Sequence, residues 1–243
     1  MLLSDRMLAV VGLVEPCDRM ADIGCDHGYV AMELVRRNVC GRVIAMDIHR
    51  GPLRRAQDNL RQYGMQASVE TRLSDGMEAL AAGEADGAIC AGMGGRLILS
   101  ILERGRGLIG DMRQLILQPQ SEIREVRAWL RVNGFVTEQE DMVCEDGKYY
   151  PMMRVRPGGA AEGAKETDAA QAVRMRDTYG PYLLENAHPV LKRYLLWERE
   201  NFENIRGNLA CREQITARQQ GRIAELDGKL GDIAFCLERY FAL

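Results

Sequence analysis

Met20-Ala21-Asp22-Ile23-Gly24-Cys25-Asp26-His27-Gly28-Tyr29 decides the fold. Met20–Ile23 is a short apolar run, Gly24 and Gly28 bracket an acid, and residues 29–37 turn amphipathic at helical spacing. A strand, a glycine loop and a helix in that order open a parallel α/β sheet. The alternation continues outward. Apolar runs at Val43–Met46, Val69–Leu73, Ala88–Ala91 and Leu115–Leu117 alternate with amphipathic segments at Pro52–Tyr63, Arg96–Arg104 and Glu122–Val132. Ser121 is the expected N-cap of the last segment, with Glu122 in its first turn and Gly134 just past its end. Beyond Gly134 the pattern changes to two strand-like runs, Phe135–Cys144 and Lys148–Arg156. They are joined by Glu145-Asp146-Gly147, a strong hairpin signal.

The glycine loop does not match G-x-G-x-x-G, because Gly24 and Gly28 are four apart with Asp26 between them. A pyrophosphate at that helix start would face the carboxylates of Asp22 and Asp26. A ligand carrying an ammonium and a sulfonium, as S-adenosylmethionine does, suits those acids, while NAD and nucleotide triphosphates do not. No G-x-x-x-x-G-K-[ST] occurs. Asp47 ends the second strand, where an acid accepts both ribose hydroxyls. Ser74-Asp75-Gly76 follows the third strand and Ala91-Gly92-Met93-Gly94-Gly95 the fourth. Each acid alone could be a cap or turn residue. Four such loops at successive strand ends instead mark one ligand site.

With 243 residues, 47% hydrophobic and 28% charged, the chain has an ordinary globular composition. Its net charge of −3 excludes a histone-like polycation but not a local basic face. The apolar stretch Met7–Val14 is far short of the roughly 20 residues that span a bilayer, so no membrane association is expected. Ser4 and Asp5 make the start a capped helix rather than a secretory signal, and the expected location is cytoplasmic. Seven scattered cysteines without C-x-x-C suggest neither a disulfide framework nor a zinc site. Cys25 and His27 are read as buried or loop residues, and no metal is expected.

Residues 157–167 contain no large apolar side chain and read as a linker between a domain at 1–156 and a helical domain at 168–243. Ile223, Leu226, Leu230, Ile233, Leu237 and Tyr240 form a heptad seam. Leu191, Leu195, Phe202, Ile205 and Leu209 form a second, interrupted by Glu198. A short connection near Ala210 makes the two an antiparallel, coiled-coil-like hairpin. Whether the seam pairs within one chain or between two stays open, with a monomer favoured.

The pattern resembles a specific family. D-I-G-C-D-H-G-Y at Asp22–Tyr29, A-M-D-I at Ala45–Ile48, L-S-D-G at Leu73–Gly76 and A-G-M-G-G at Ala91–Gly95 look like the bacterial TrmK family. So do L-I-L-Q-P-Q at Leu115–Gln120, N-G-F at Asn133 and D-G-K-Y-Y at Asp146. The agreement runs from about residue 2 to 156, and the tail agrees only in architecture. Gly28 and Val30-Ala31 stand where the family often has Ala and Leu-Pro. The resemblance implies an α/β fold of the class I, Rossmann-like methyltransferase type: a seven-stranded sheet with a terminal antiparallel hairpin, plus C-terminal helices. It implies transfer of a methyl group from S-adenosylmethionine to N1 of adenine 22 in tRNA. It places Asp22, Gly24, Asp47, Asp75, Gly76 and Met93 along the cofactor, with Ile48 and Gly92 in the same motifs, and Asp26 and His27 at the mouth.

N1 of adenine carries an in-plane lone pair, so attack needs orientation rather than a strong base. Asp26, Gln118 and Gln120 are the candidate acceptors for the N6 amino group, with His27 a candidate proton shuttle. His27 is equally read as a loop residue. The adenine must leave its stack to react. Candidate phosphate contacts are Arg6, Arg54, Arg55, Arg96, Arg104 and Arg106, although Arg54-Arg55 also reads as a solvated helix face. Two alternatives stand beside this reading. One is a methyltransferase for another RNA site or a small molecule; the other is a non-catalytic RNA-binding factor with a degenerate fold.

Overall fold

The computed structural model describes residues 3–158, 170–211 and 216–243, and the chain divides into two compact units, Met1–Lys165 and Glu166–Leu243. The first unit runs α1 (Asp5–Gly12), β1 (Cys17–Ile23), α2 (Tyr29–Arg36), β2 (Cys40–Asp47), α3 (Arg50–Tyr63) and β3 (Val69–Leu73). It continues β4 (Gly87–Met93), α4 (Gly95–Arg104), α5 (Arg106–Ile109), β5 (Gln114–Pro119), α6 (Ile123–Val132), β6 (Phe135–Glu145) and β7 (Lys148–Pro157). Its seven strands lie in the order β3-β2-β1-β4-β5-β7-β6. The first five are parallel, and β7 enters antiparallel between β5 and β6. The order reverses between β1 and β4, which is where open α/β sheets form a ligand crevice.

Alternation along the strands separates two cores. Met20, Val43, Ala45, Ile89 and Ile116 face one way, onto Val10 and Val11 of α1, Met32 of α2 and Leu60 of α3. Ala21, Ile44, Met46, Cys90 and Leu117 face the other, onto Ile98 and Leu102 of α4 and Val126 and Leu130 of α6. The start of the chain is a capped helix as expected, Ser4 Oγ accepting from Met7 N at 3.3 Å. The hairpin also forms as read, with Asp146 and Gly147 at φ 50° and 73°, the positive pair a tight two-residue turn requires. Glu138 is an unpaired extra residue on β6, a bulge between Thr137 and Gln139.

Two expectations need correction. Ser121 does not cap α6: that helix starts from Glu122 in the left-handed region at φ 47°. Ser121 instead accepts from Gly95 N through its carbonyl oxygen (3.1 Å) and Oγ (3.3 Å), capping the start of α4. β7 includes Pro157, which pairs with Phe135, so the strand takes the first residue of the expected linker. Residues 159–167 of that linker lie outside the described residues.

The second unit holds α7 (Ala170–Tyr179), α8 (Pro181–Glu185), α9 (Pro189–Ala210) and α10 (Ala217–Phe241). Phe202 lies under Lys229 and Arg206 pairs with Asp227, so α9 and α10 run antiparallel within one chain. The residues just after the expected turn, 212–215, lie outside the described residues. Leu191, Leu195, Leu226, Ile233 and Leu237 of the two seams are buried, whereas Ile205 is exposed. Glu198 interrupts the seam because its carboxylate accepts the hydroxyls of Tyr179 (3.1 Å) and Tyr194 (2.8 Å).

Candidate active site

The C-terminal ends of β1, β2, β4 and β5 converge on one mouth. Asp22 is buried at the end of β1; it accepts a hydrogen bond from Ala31, and its Oδ2 has no partner. Burial, reinforced by the nearby charge of Asp47, pushes its carboxyl up to about 7. An unpartnered buried carboxylate oxygen is costly unless something polar or cationic completes it. Gly24 turns the loop at φ 73°, and a Cβ there would meet the Met93 methyl group. Cys25, below the loop, is buried, and burial and three surrounding acids push its thiol up.

Asp47 closes the next strand. Its Oδ1 accepts from His49 N at 2.8 Å and its Oδ2 from Asp26 N at 3.3 Å, which fixes the carboxylate and leaves each oxygen a further lone pair. Beside it, the large apolar side chains of Ile48 and Leu73 are 54% and 44% exposed. They line a cavity of about 350 Å³ with Ser74, Asp75, Glu78 and Ala79. Asp75 is held by a bidentate Arg104 pair at 2.8 and 2.9 Å, which also lowers its carboxyl. Gly76 is buried, accepting from Ser74 Oγ (2.9 Å) and packed against Ile101.

On the opposite side of the mouth, Gln118 is fully buried. Its Oε1 accepts from Gly92 N at 3.0 Å and from Arg6 Nη1 at 2.9 Å, and its Nε2 donates to the Pro119 carbonyl. The expected acceptor is therefore already occupied: Gln118 fixes Gly92 and aims Arg6. Arg6 lies over the Tyr150 ring, 5.5 Å from its centroid, and its backbone N–H reaches Glu145 Oε1 at 3.5 Å. Neither Tyr150 nor Glu145 is among the expected site residues; D-G-K-Y-Y is the only signal for Tyr150, and Glu145 enters the sequence reading only as part of the hairpin turn. Gln120 is exposed beside Gly92.

Asp26 sits at the loop tip with φ 48° and a largely exposed side chain. His27 Nε2 and Arg55 Nη2 each approach it at 3.5 Å, and the His27 ring stacks on Tyr29 at 5.6 Å. Of the basic candidates, Arg54 is exposed with no ion-pair partner among the described residues, and Arg96 is exposed with Glu122 at 3.4 Å. Arg104 is tied to Asp75 and Glu78, and Nη2 of Arg106 to Glu103 and Asn133, so both of these candidates are engaged in exposed contacts within the chain.

The mouth fits S-adenosylmethionine: a buried acid keeps one unpartnered oxygen, and a glycine loop follows in which a Cβ would collide with Met93. A second fixed acid ends the next strand, and a cleft lipped by Ile48 and Leu73 lies beyond. Residues 3–153 match a family model described as a methyltransferase domain. The tRNA (adenine(22)-N(1))-methyltransferase of Bacillus subtilis is 31% identical over 203 residues, 84% of each chain. The chain belongs to this methyltransferase family. Across the family, the crystal structure of the B. subtilis m1A22 tRNA methyltransferase TrmK superposes with a TM-score of 0.80 at 28% identity, covering 97% of this chain and 99% of that one. A Streptococcus pneumoniae protein solved in complex with S-adenosyl-L-methionine gives 0.80 at 30% identity, covering 97% and 100%.

Proposed function

We propose that this enzyme methylates N1 of adenine 22 in tRNA, with S-adenosylmethionine as donor, in the cytoplasm. The observation that carries this reading is the fourfold convergence at the mouth, in a chain related along 84% of its length to an enzyme named for that reaction. Bound there, S-adenosylmethionine supplies an electrophilic methyl group on a sulfonium. Asp22 supplies the negative charge for its cationic amino-acid end, and Asp47 accepts from the ribose hydroxyls. Ile48 and Leu73 cover the adenine faces.

The chain's remaining task is to place the target base. Gln118 holds Gly92 and Arg6 as one unit, and Arg6, with Tyr150 beneath it, grips the phosphate next to the extruded adenine. Asp26 and the exposed Gln120 accept from the N6 amino group, stabilising the positive charge that grows on the ring. His27 takes the proton that the methylated base later releases. Arg54, Arg55 and Arg96 supply phosphate contacts further out.

The experiment uses purified protein, unmodified tRNA transcripts and tritiated S-adenosylmethionine, followed by nucleoside mass spectrometry. Label in 1-methyladenosine that disappears when adenine 22 is replaced is the expected result. Cofactor binding without tRNA labelling would transfer the reading to another substrate.

A further inference from the structure

At the opposite end of β1 from the cofactor mouth, two cysteines face each other. Cys17 opens β1 and Cys40 opens β2, and they are direct partners in the parallel register. Their sulfurs lie 3.1 Å apart. Neighbouring strands set directly opposed Cα atoms about 4.8 Å apart, inside the span that disulfides tolerate. Cys40 is buried and Cys17 partly exposed, so only one of the two sulfurs meets solutes directly. Cys17 is the first residue of its strand, at the sheet's end rather than within it. Among the described residues, no three His, Cys, Asp or Glu side chains are placed to hold a metal ion.

We propose that Cys17 and Cys40 are an oxidation site, a dithiol that hydroperoxides convert to a cross-strand disulfide. Cys17 is the attacking sulfur and Cys40 the resolving one. The Cys17 sulfur attacks a peroxide oxygen, the O–O bond breaks, and the leaving oxygen departs as water after taking up the thiol proton. Cys17 is then a sulfenic acid. The Cys40 sulfur attacks it, the S–S bond forms and the S–O bond breaks, and the hydroxide leaves as water with the Cys40 proton. Two thiols and one hydrogen peroxide give one disulfide and two waters. Either thiol can donate in the contact between them, and the partly exposed Cys17 is the one a peroxide reaches, which supports this order. The contact with Cys40 also holds Cys17 below the usual thiol range. Asp86 and Asp18 oppose the Cys17 shift and Arg113 favours it.

The test treats the full chain with hydrogen peroxide and maps the peptides without reduction. The expected product is one linked Cys17–Cys40 peptide pair, lighter by two hydrogens and restored by dithiothreitol. In Cys40→Ser, dimedone traps sulfenic acid at Cys17 on the order of tenfold more than in the parent chain. The proposal is overturned if Cys17 and Cys40 stay free while the exposed Cys144 and Cys211 react. It is equally overturned if Cys17 links two chains, or if dimedone traps the parent chain as readily as Cys40→Ser.

Discussion

Buried acids meet opposite fates in two regions of the methyltransferase unit. Along the flank, Glu140 of β6 is fully buried and pairs with the buried Arg127 of α6 at 2.8 Å. Glu33 of α2 is gripped by Arg36 and Arg37, whose hydrogen bonds pull its carboxyl down to about 2. At the mouth, Asp22 has no cationic partner among the described residues, and burial drives its carboxyl the other way, to about 7. Arginines neutralise Glu140 and Glu33, whereas Asp22, at the proposed cofactor mouth, keeps a carboxylate oxygen with no hydrogen-bond partner. A charge left incomplete in the folded state is binding free energy held in reserve.

The largest effect should come from breaking the flank. Arg127→Met leaves Glu140 buried without its partner and should lose about 3–5 kcal/mol in denaturant unfolding. Next is Asp22→Asn, where the sign reverses. A carboxyl raised from its ordinary value to about 7 binds a proton that the unfolded chain has already released, so stability falls between roughly pH 4 and 7 and stays low above. Asn removes that deficit. The variant should gain about 2 kcal/mol at pH 8 and nothing below pH 4, while calorimetry detects no cofactor binding. A loss of stability at pH 8 would end the contrast between the two regions.

Glu33→Gln should lose about 1 kcal/mol at pH 7, discounted because both arginines are exposed. Glu33 contributes above the ordinary carboxylate range and loses that contribution as pH falls towards 2, so variant and parent should converge in acid. The smallest signal sharpens the comparison most. A cationic ligand returns Asp22 to its charged form, so cofactor binding at pH 7 should release about half a proton. Calorimetry in buffers of different ionisation enthalpy measures it.

What the sequence made legible was local. Asp146-Gly147 specifies its own hairpin, Ser4 its own cap, and the loops at Gly24, Asp47, Asp75 and Gly92 follow strands whose apolar runs announce them. What stayed hidden depends on partners far along the chain. Gln118 looked free until Arg6, 112 residues away, was found on its oxygen. Arg104 looked available until Asp75, 29 residues back, took both its terminal nitrogens. Ser121 has the right side chain for a cap, but Gly95 supplies the amide that uses it. Side-chain type predicts what a group can bind, and only the fold decides which partner arrives first.

The bulge at Glu138 also bears on how the open sheet behaves among its own copies. β3 and β6 are its two margins, each with backbone donors and acceptors that a foreign strand could recruit. On β6 the bulge breaks the regular spacing, and Glu138 is drawn to Arg154 and Arg156. On β3, Arg72 is bracketed by Glu70 and Glu84. A strand adding to either margin would meet a misaligned ladder or a charge cluster it must dehydrate. The same residues that decorate the ends of the sheet therefore guard it against growing into a filament.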